Sequence, residues 1–228
     1  MSDLKRNSSS NNIFRQPVFA FALWLSFQSC ASTTAFHRDS FHPEYFNSEK
    51  RTEALDKLGQ LSVEAAIGID SPDGAISVPA DLQFRTTDTL FIQIYDPLGR
   101  KLARAELNGA EYSILFQRDG TFFSGSDLPT ELGGFEFPTI SAEDFRRLLL
   151  GLPLRLSSFQ VAYFSQTSCL KSAIIGSGAG KWEIHYRSYE SVTDIPLPSE
   201  ISFRNRQANV EIQIHLSNFS AALRKFAQ

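Results

Sequence analysis

Cysteine is scarce in this sequence. Only Cys30 and Cys169 occur among the 228 residues, so a disulfide-rich scaffold is excluded. If Cys30 is modified, Cys169 has no partner left in the chain and no intramolecular disulfide can form. We expect Cys169 to be a small buried side chain rather than a catalytic thiol.

An excess of positive charge is also lacking. The formal net charge is −3, and the sequence has no basic cluster of the kind that nucleic acid requires, so we expect no nucleic-acid partner. Beyond the N-terminal segment, no apolar run is long enough to span a bilayer. The chain that follows this segment is therefore not predicted to be embedded in a membrane.

Catalytic and metal-binding motifs are absent as well. The glycine-rich run at residues 176–181 lacks the first Gly and the Ser/Thr of a phosphate-binding loop. No G-x-S-x-G elbow occurs, and no Cys/His spacing suits zinc. We therefore expect no catalytic residue, no metal site and no cofactor. A hydrolase with a polar cluster inside the fold remains as an alternative.

The N-terminus has the pattern of an export signal. A basic region with Lys5, Arg6 and Arg15 precedes an apolar run at residues 17–27, which is too short for a comfortable transmembrane helix. The run ends at Ser29-Cys30, which is similar to a lipobox, although Phe27 and Gln28 depart from the usual residues. We predict a signal peptide at residues 1–29 and lipidation of Cys30, the alternative being an ordinary signal peptide or anchor with an incidental cysteine.

The rest of the chain is predicted to be a tether at residues 30–46 and one domain at residues 47–228. Alternating apolar residues and turn signals such as Asn108-Gly109 predict an antiparallel meander of about eleven strands. We place these strands at residues 62–69, 76–85, 89–95, 101–108, 111–117, 121–124, 159–164, 170–175, 181–189, 199–204 and 209–216.

Two helices accompany the strands. Asn47 is suited to cap a helix that runs to about Leu58, and Ser141 is suited to cap a second helix. The second helix carries an apolar stripe formed by Phe145, Leu148, Leu149 and Leu152, with Arg146 and Arg147 predicted to point away from it. A sheet of this size curls, so we predict a mainly β (α+β) fold whose helices lie across the open mouth of the curled sheet.

The apolar face of this sheet is the candidate binding site. Strand alternation and the helix stripe select the side chains expected to line it: Ile92, Ile94, Phe145, Leu148, Leu149, Trp182, Ile184, Tyr186, Ile212 and Ile214. The alternative is that the same side chains form a dry core, because alternation identifies the apolar face of a strand but does not distinguish a core from a cavity.

A tight turn at residues 96–99 carries an unusual apolar residue. Pro97 and Gly99 suit an Asp-Pro-x-Gly turn, whose second central residue usually faces water. Here that residue is Leu98. Beside a lipid anchor, an apolar tip on a rigid turn is a candidate membrane contact.

Several segments, taken in order, resemble the LolB family of outer-membrane lipoprotein receptors. They are the lipobox-like end at Cys30, the Asp-Pro-Leu-Gly turn, the segments at residues 132–140, 145–153, 181–186 and 196–198, and the last alternating strand. The resemblance covers residues 50–217 and implies a LolA/LolB-like antiparallel half-barrel. It also implies that acyl chains of lipoproteins are received from a periplasmic LolA-like carrier and delivered to outer-membrane lipid.

On this resemblance, the family's exposed leucine corresponds to Leu98, between Pro97 and Gly99. The protein is then expected to be a monomer on the periplasmic face of the outer membrane, anchored through Cys30. The alternatives are a lipid-anchored structural or assembly lipoprotein, and a general lipid-binding protein with no role in lipoprotein transfer.

Overall fold

The computed structural model describes residues 41–132, 135–155 and 160–223. The predicted signal peptide, Cys30 and the tether up to residue 40 lie outside these residues. The strands are β1 (Leu58–Ser71), β2 (Gly74–Thr86), β3 (Thr89–Tyr95), β4 (Lys101–Asn108), β5 (Glu111–Phe116), β6 (Phe122–Gly125), β7 (Glu131–Leu132), β8 (Phe135–Glu136), β9 (Gln160–Tyr163), β10 (Leu170–Ile175), β11 (Trp182–Val192), β12 (Ile195–Asn205) and β13 (Val210–Leu223). The helices are α1 (Ser48–Lys57) and α2 (Ala142–Leu149), with 3-10 turns at Pro43–Phe46 and Gly178–Gly180.

The predicted antiparallel sheet is confirmed. Eleven strands lie side by side in the order β6-β5-β4-β3-β2-β1-β13-β12-β11-β10-β9, and every neighbouring pair is antiparallel. The edges β6 and β9 do not pair with each other, so the sheet is open. The short hairpin of β7 and β8 stands apart from this sheet and was not predicted.

The sheet curls strongly. Four strands separate β5 from β13, which places them about 24 Å apart in a flat sheet with strands spaced at ~4.8 Å. Ile114 of β5 and Ile212 of β13 nevertheless line one cavity. The sheet is therefore a half-barrel whose concave face carries the apolar side chains.

Strand β12 begins at Ile195, earlier than the predicted start at residue 199. The two prolines in this extension lie where a proline does not disrupt the sheet. Pro196 and Pro198 pair with β11, whereas pairing between β12 and β13 begins only at Glu200. The first part of β12 is therefore locally an edge, where a missing backbone N–H breaks no ladder bond. The predicted strand starts at residue 199, so the prediction missed the part that contains the two prolines.

Both predicted helix caps are confirmed. The Asn47 side chain accepts hydrogen bonds from the backbone N–H groups of Glu49 and Lys50, at 2.9 and 3.1 Å. Ser141 Oγ accepts from the backbone N–H of Asp144 at 3.0 Å. These bonds satisfy donors that a helix start leaves unpaired, so both helices begin where the sequence indicates.

The outward orientation expected for Arg146 is wrong. Its side chain is only 1% exposed, and its guanidinium donates to the carbonyl oxygens of Thr87 and Gly109. These carbonyls belong to the turns that join β2 to β3 and β4 to β5, next to the packed face of α2. The long stem lets Arg146 reach unpaired backbone acceptors from a buried position.

Candidate ligand cavity and hairpin tip

The concave face of the sheet encloses a cavity of about 360 Å³. Its wall is formed by β1 to β5, β12 and β13, and it is covered by α2 and by residues 126–132 and 135–141, which together we call the cover segment. Every lining residue is apolar: Ile67, Ile69, Ile76, Val78, Ile92, Ile94, Leu102, Ala103, Ala105, Leu107, Ile114, Phe116, Leu128, Pro129, Phe137, Pro138, Ile140, Phe145, Phe203, Ile212 and Ile214. No side chain of this lining offers a hydrogen bond to a ligand.

The structure divides the candidate cavity residues into two groups. The first group lines the cavity and consists of Ile92, Ile94, Phe145, Ile212 and Ile214. The second group lies in the packed core outside the lining and consists of Leu148, Leu149, Trp182, Ile184 and Tyr186, each at most 3% exposed. The second group sits on β11 and on the buried side of α2, where side chains fill the space between helix and sheet.

The cavity opens at the end of the sheet that holds the β1–β2 and β3–β4 turns. Along the inner face of β2, the exposed fraction falls from 40% at Ile76 to 2% at Ala80. On β3, Ile94 near the turn is half-buried, whereas Leu90 at the other end is fully buried. This gradient defines an open end at the hairpin turns and a packed base at the opposite end.

Polar ties hold the helices at the packed base. Asp56 of α1 accepts hydrogen bonds from the backbone N–H and the hydroxyl of Thr87, at 3.0 and 2.7 Å. The Tyr186 hydroxyl donates to the carbonyl oxygen of Leu148 at 3.0 Å, and burial raises the pKa of this phenol well above its usual value. Tyr186 thus remains a protonated donor, and the cover of the cavity is fixed at one end.

The predicted turn at residues 96–99 forms the tip of the β3–β4 hairpin at the open end. Leu98 is 79% exposed, whereas Asp96 is 7% exposed. Asp96 Oδ1 accepts from the backbone N–H groups of Leu98 and Arg100, at 2.9 and 2.8 Å. Gly99 has a φ of +79°, a conformation that favours glycine, so the tip is a rigid platform that presents one leucine to solvent.

The charge of Asp96 is part of this platform. The hydrogen bond from the backbone N–H of Arg100 is the main reason why the pKa of Asp96 lies below its usual value. The Arg100 guanidinium and the Leu98 N–H act in the same direction, against partial desolvation. The ionised carboxylate therefore holds the turn at neutral pH.

The tip adjoins the cavity directly. Ile94 and Leu102 lie on the two strands just beyond the loop, and both line the cavity. Tyr95 pairs with Lys101 as the last rung of the hairpin. Leu98 therefore stands at the rim of the opening.

Sequence reasoning missed part of the lining. The cover segment contributes Leu128, Pro129, Phe137, Pro138 and Ile140, and its ends are joined by a hydrogen bond of 3.0 Å from the Leu128 N–H to the Ile140 carbonyl. The recurrence of Phe and Pro in an otherwise unpatterned stretch was the available signal. Ala103 and Ala105 were also missed, although they share the face of β4 that alternation defines.

The described residues contain neither a metal-binding cluster nor a membrane-spanning helix. They contain no group of His, Cys, Asp and Glu side chains that could hold a metal ion. None of their helices has both the length and the apolar character needed to cross a membrane.

The open half-barrel and its covered apolar cavity define a protein with the LolA/LolB-like fold. Residues 59–217 match the family model described as "Outer membrane lipoprotein LolB". The chain belongs to the LolB family, and this membership supports a role in lipoprotein binding and sorting. No curated protein matches the sequence significantly.

Solved structures share the fold at low sequence identity. A DUF1329 family protein from Desulfovibrio piger has a TM-score of 0.56 at 11% identity, covering 78% of this chain and 92% of its own. A LolA superfamily protein from Nitrosomonas europaea has a TM-score of 0.50 at 10% identity, covering 79% and 94%. A domain from Vibrio parahaemolyticus, assigned to outer membrane lipoprotein sorting, has a TM-score of 0.52 at 8% identity, covering 79% and 93%.

Proposed function

We propose that this protein receives the acyl chains of lipoproteins in its cavity and releases them into the outer membrane. In this proposal a LolA-like carrier is the donor, Cys30 carries the lipid anchor on the periplasmic face, and Leu98 contacts the target membrane. The observation that carries the proposal is the position of a wholly apolar cavity beside a leucine that is 79% exposed on a rigid turn.

The chemistry of the lining suits a transfer protein. Each buried methylene contributes roughly 0.8 kcal/mol of binding free energy, so a long acyl chain binds without a single hydrogen bond. Because the lining offers no directional contact, the chain exchanges one apolar environment for another when it leaves. Transfer to a second cavity or to a bilayer is then nearly isoenergetic.

The same lining determines the orientation of the ligand. A buried headgroup without hydrogen-bond partners costs several kcal/mol, on the order of 2–7, and the cavity offers no such partner. The polar end of the ligand, including the protein part of a lipoprotein, therefore stays outside the open end. The acyl tail enters first and reaches towards the packed base.

The hairpin tip is suited to a transient membrane contact. Inserting one leucine side chain into a bilayer contributes about 1.5–3 kcal/mol, far less than a lipid anchor supplies. Leu98 thus positions the rim of the cavity against the bilayer without holding it there, which favours release and reuse.

Two assays on one protein test the proposal. The full chain with Cys30→Ala, which removes the acylation site, is mixed with a fluorescent fatty acid. Release of the fluorescent fatty acid into vesicles of phosphatidylethanolamine and phosphatidylglycerol is then followed. We expect uptake by this protein, and we expect Leu98→Glu to keep uptake but to slow transfer about tenfold or more, as the loss of 1.5–3 kcal/mol implies.

The matched control is Leu115→Glu. Leu115 is an exposed leucine, at 39%, on β5, and it pairs with Phe122 rather than lining the cavity. We expect this variant to take up and transfer the probe normally. Normal transfer by Leu98→Glu would disprove the role of the tip, and absence of uptake by the parent protein would favour a structural or assembly lipoprotein.

A further inference from the structure

The cavity contains a trough of small side chains along β4. Ala103 and Ala105 are the alanines of the described lining. Ala103 lies between Ile94 of β3 and Phe116 of β5. Large side chains therefore stand on both sides of a narrow strip in which β4 contributes only methyl groups.

Ala105 repeats this arrangement one step deeper. It pairs with Ile92 of β3 and with Ile114 of β5, and both isoleucines also line the cavity. Since inward-facing residues alternate along a strand, Ala103 and Ala105 are consecutive inward positions.

We propose that Ala103 and Ala105 set the length of acyl chain that the cavity accepts. The inference rests on the proposed function, because it concerns the chain that the cavity holds. It assigns a specificity role to residues that do not contact the membrane tip and carry no polar group.

The position of the trough explains how it limits the length of a bound acyl chain. Leu102 marks its open end, beside the hairpin tip, and Leu107 closes it at the packed base, where it is 1% exposed. The distance from Ala103 to Leu107 is about 13 Å along the strand, at ~3.3 Å per residue. Helix α2 packs against β4 and β5 from above, so a chain in this trough is enclosed on both sides and ends at Leu107.

A larger side chain in the trough is therefore expected to shorten the acyl chain that the cavity can hold. Protein interiors are close-packed, so a side chain that fills the trough excludes an equal volume of ligand. Isoleucine has three more carbon atoms than alanine. We expect Ala105→Ile to shorten the longest chain that still gains affinity by about three carbons, which is one or two steps in a series of even-numbered fatty acids.

The test measures affinity as a function of chain length. The full chain with Cys30→Ala is titrated with saturated fatty acids of increasing even carbon number, which compete with the fluorescent fatty acid. For the parent protein we expect affinity to rise about 15-fold for each pair of methylenes and then to level off. Ala105→Ile is expected to match the parent on short chains and to level off at a shorter chain.

A transposed variant separates cavity shape from damage to the fold. Ile92 and Ala105 are cross-strand partners, so Ile92→Ala combined with Ala105→Ile conserves the total side-chain volume of the pair. We expect this double variant to recover the longer limit, and Ile92→Ala alone to extend it. Urea unfolding verifies that all the proteins compared are folded.

The outcomes are distinguishable from failure of the proposed function. If the parent protein binds no fatty acid of any length, the acyl-binding function itself is wrong. If it binds them, but Ala105→Ile and Ile92→Ala both level off at the same length as the parent, the trough does not determine chain length and this inference is overturned.

Discussion

The guanidinium of Arg51 in α1 donates a hydrogen bond to the carbonyl oxygen of Gly151, just beyond the end of α2. The same side chain donates to the Ser168 carbonyl at 3.2 Å and to Cys169 Sγ at 2.8 Å. Arg51 is fully buried, at 0% exposed. One side chain thus joins both helices to the segment that leads into β10, at the packed base of the cavity.

Replacing Arg51 is therefore expected to destabilise the fold. Arg51→Met keeps the apolar stem but leaves the Gly151 and Ser168 carbonyls without this donor, and buried unpaired acceptors are costly. We expect a loss of about 2–4 kcal/mol in the free energy of unfolding, measured by urea denaturation.

The control is Arg118→Met, since Arg118 is exposed in the β5–β6 turn, where a loss below about 0.5 kcal/mol is typical. Equal stability of the Arg51 and Arg118 variants would show that the tie between the helices is unimportant. Arg51→Lys is a second check. It is also expected to lower the free energy of unfolding, because a single ammonium does not reproduce the fork geometry that reaches both helices.

The sequence was sufficient for the architecture because strand alternation and turn chemistry act locally. Ile212 and Ile214 alternate with polar neighbours, and such a pattern specifies which face of β13 is buried. The pattern does not indicate whether a buried side chain lines the cavity or lies in the packed core. Ile184 of β11 has the same pattern, yet it is fully buried and lies outside the cavity lining.

Arg146 shows a second limit of pattern reasoning. Helical periodicity assigned it to the solvent side, but its stem reaches the carbonyls of Thr87 and Gly109 in two hairpin turns. Those acceptors come from parts of the chain that are remote in sequence, so only the tertiary structure identifies them. The cover segment was missed for a different reason. Its apolar residues have neither helical nor strand periodicity.

Gly151 offers a sharp test of packing at the base. Its φ is +64°, and a Cβ added there lies 2.8 Å from the Tyr189 hydroxyl and 2.9 Å from Pro198 Cγ. Gly151→Ala thus combines left-handed backbone strain of about 1–2 kcal/mol with a steric clash. We expect a total loss of about 3 kcal/mol or more in thermal or urea unfolding.

Gly120→Ala is the matched control for this variant. Gly120 has a φ of +74°, and nothing lies within 4 Å of an added Cβ. It therefore reports the backbone strain alone, about 1–2 kcal/mol. If Gly151→Ala costs no more than Gly120→Ala, the contacts of Tyr189 and Pro198 adapt freely and the base of the cavity is not tightly packed.

The charge of Asp96 is expected to govern the order of the hairpin tip. Its folded-state pKa is lowered, chiefly by the backbone N–H of Arg100. The stabilisation that the ionised Asp96 carboxylate gives to the tip is therefore present above the unfolded-state pKa. It is lost as the pH falls through the lower folded-state pKa. An NMR titration of the Leu98 and Arg100 amide shifts is expected to give a midpoint below 3.8, the usual value.

Two substitutions separate the carboxylate's charge from its role as an acceptor. Asp96→Asn keeps an oxygen that accepts from the Leu98 and Arg100 amides but loses the ion pair with Arg100. Asp96→Ala loses both. We expect backbone order parameters at Leu98 to fall in the alanine variant and to change less in the asparagine variant, because the asparagine oxygen still fixes the turn.

The functional consequence is specific to the tip. Asp96 is absent from the cavity lining, so fatty-acid uptake is expected to be unchanged in both variants, while transfer to vesicles slows in Asp96→Ala. A disordered tip loses conformational entropy when it meets the bilayer, which weakens the contact made by Leu98. A rigid tip in Asp96→Ala, or a midpoint at or above 3.8 in the parent protein, would contradict the role assigned to this carboxylate.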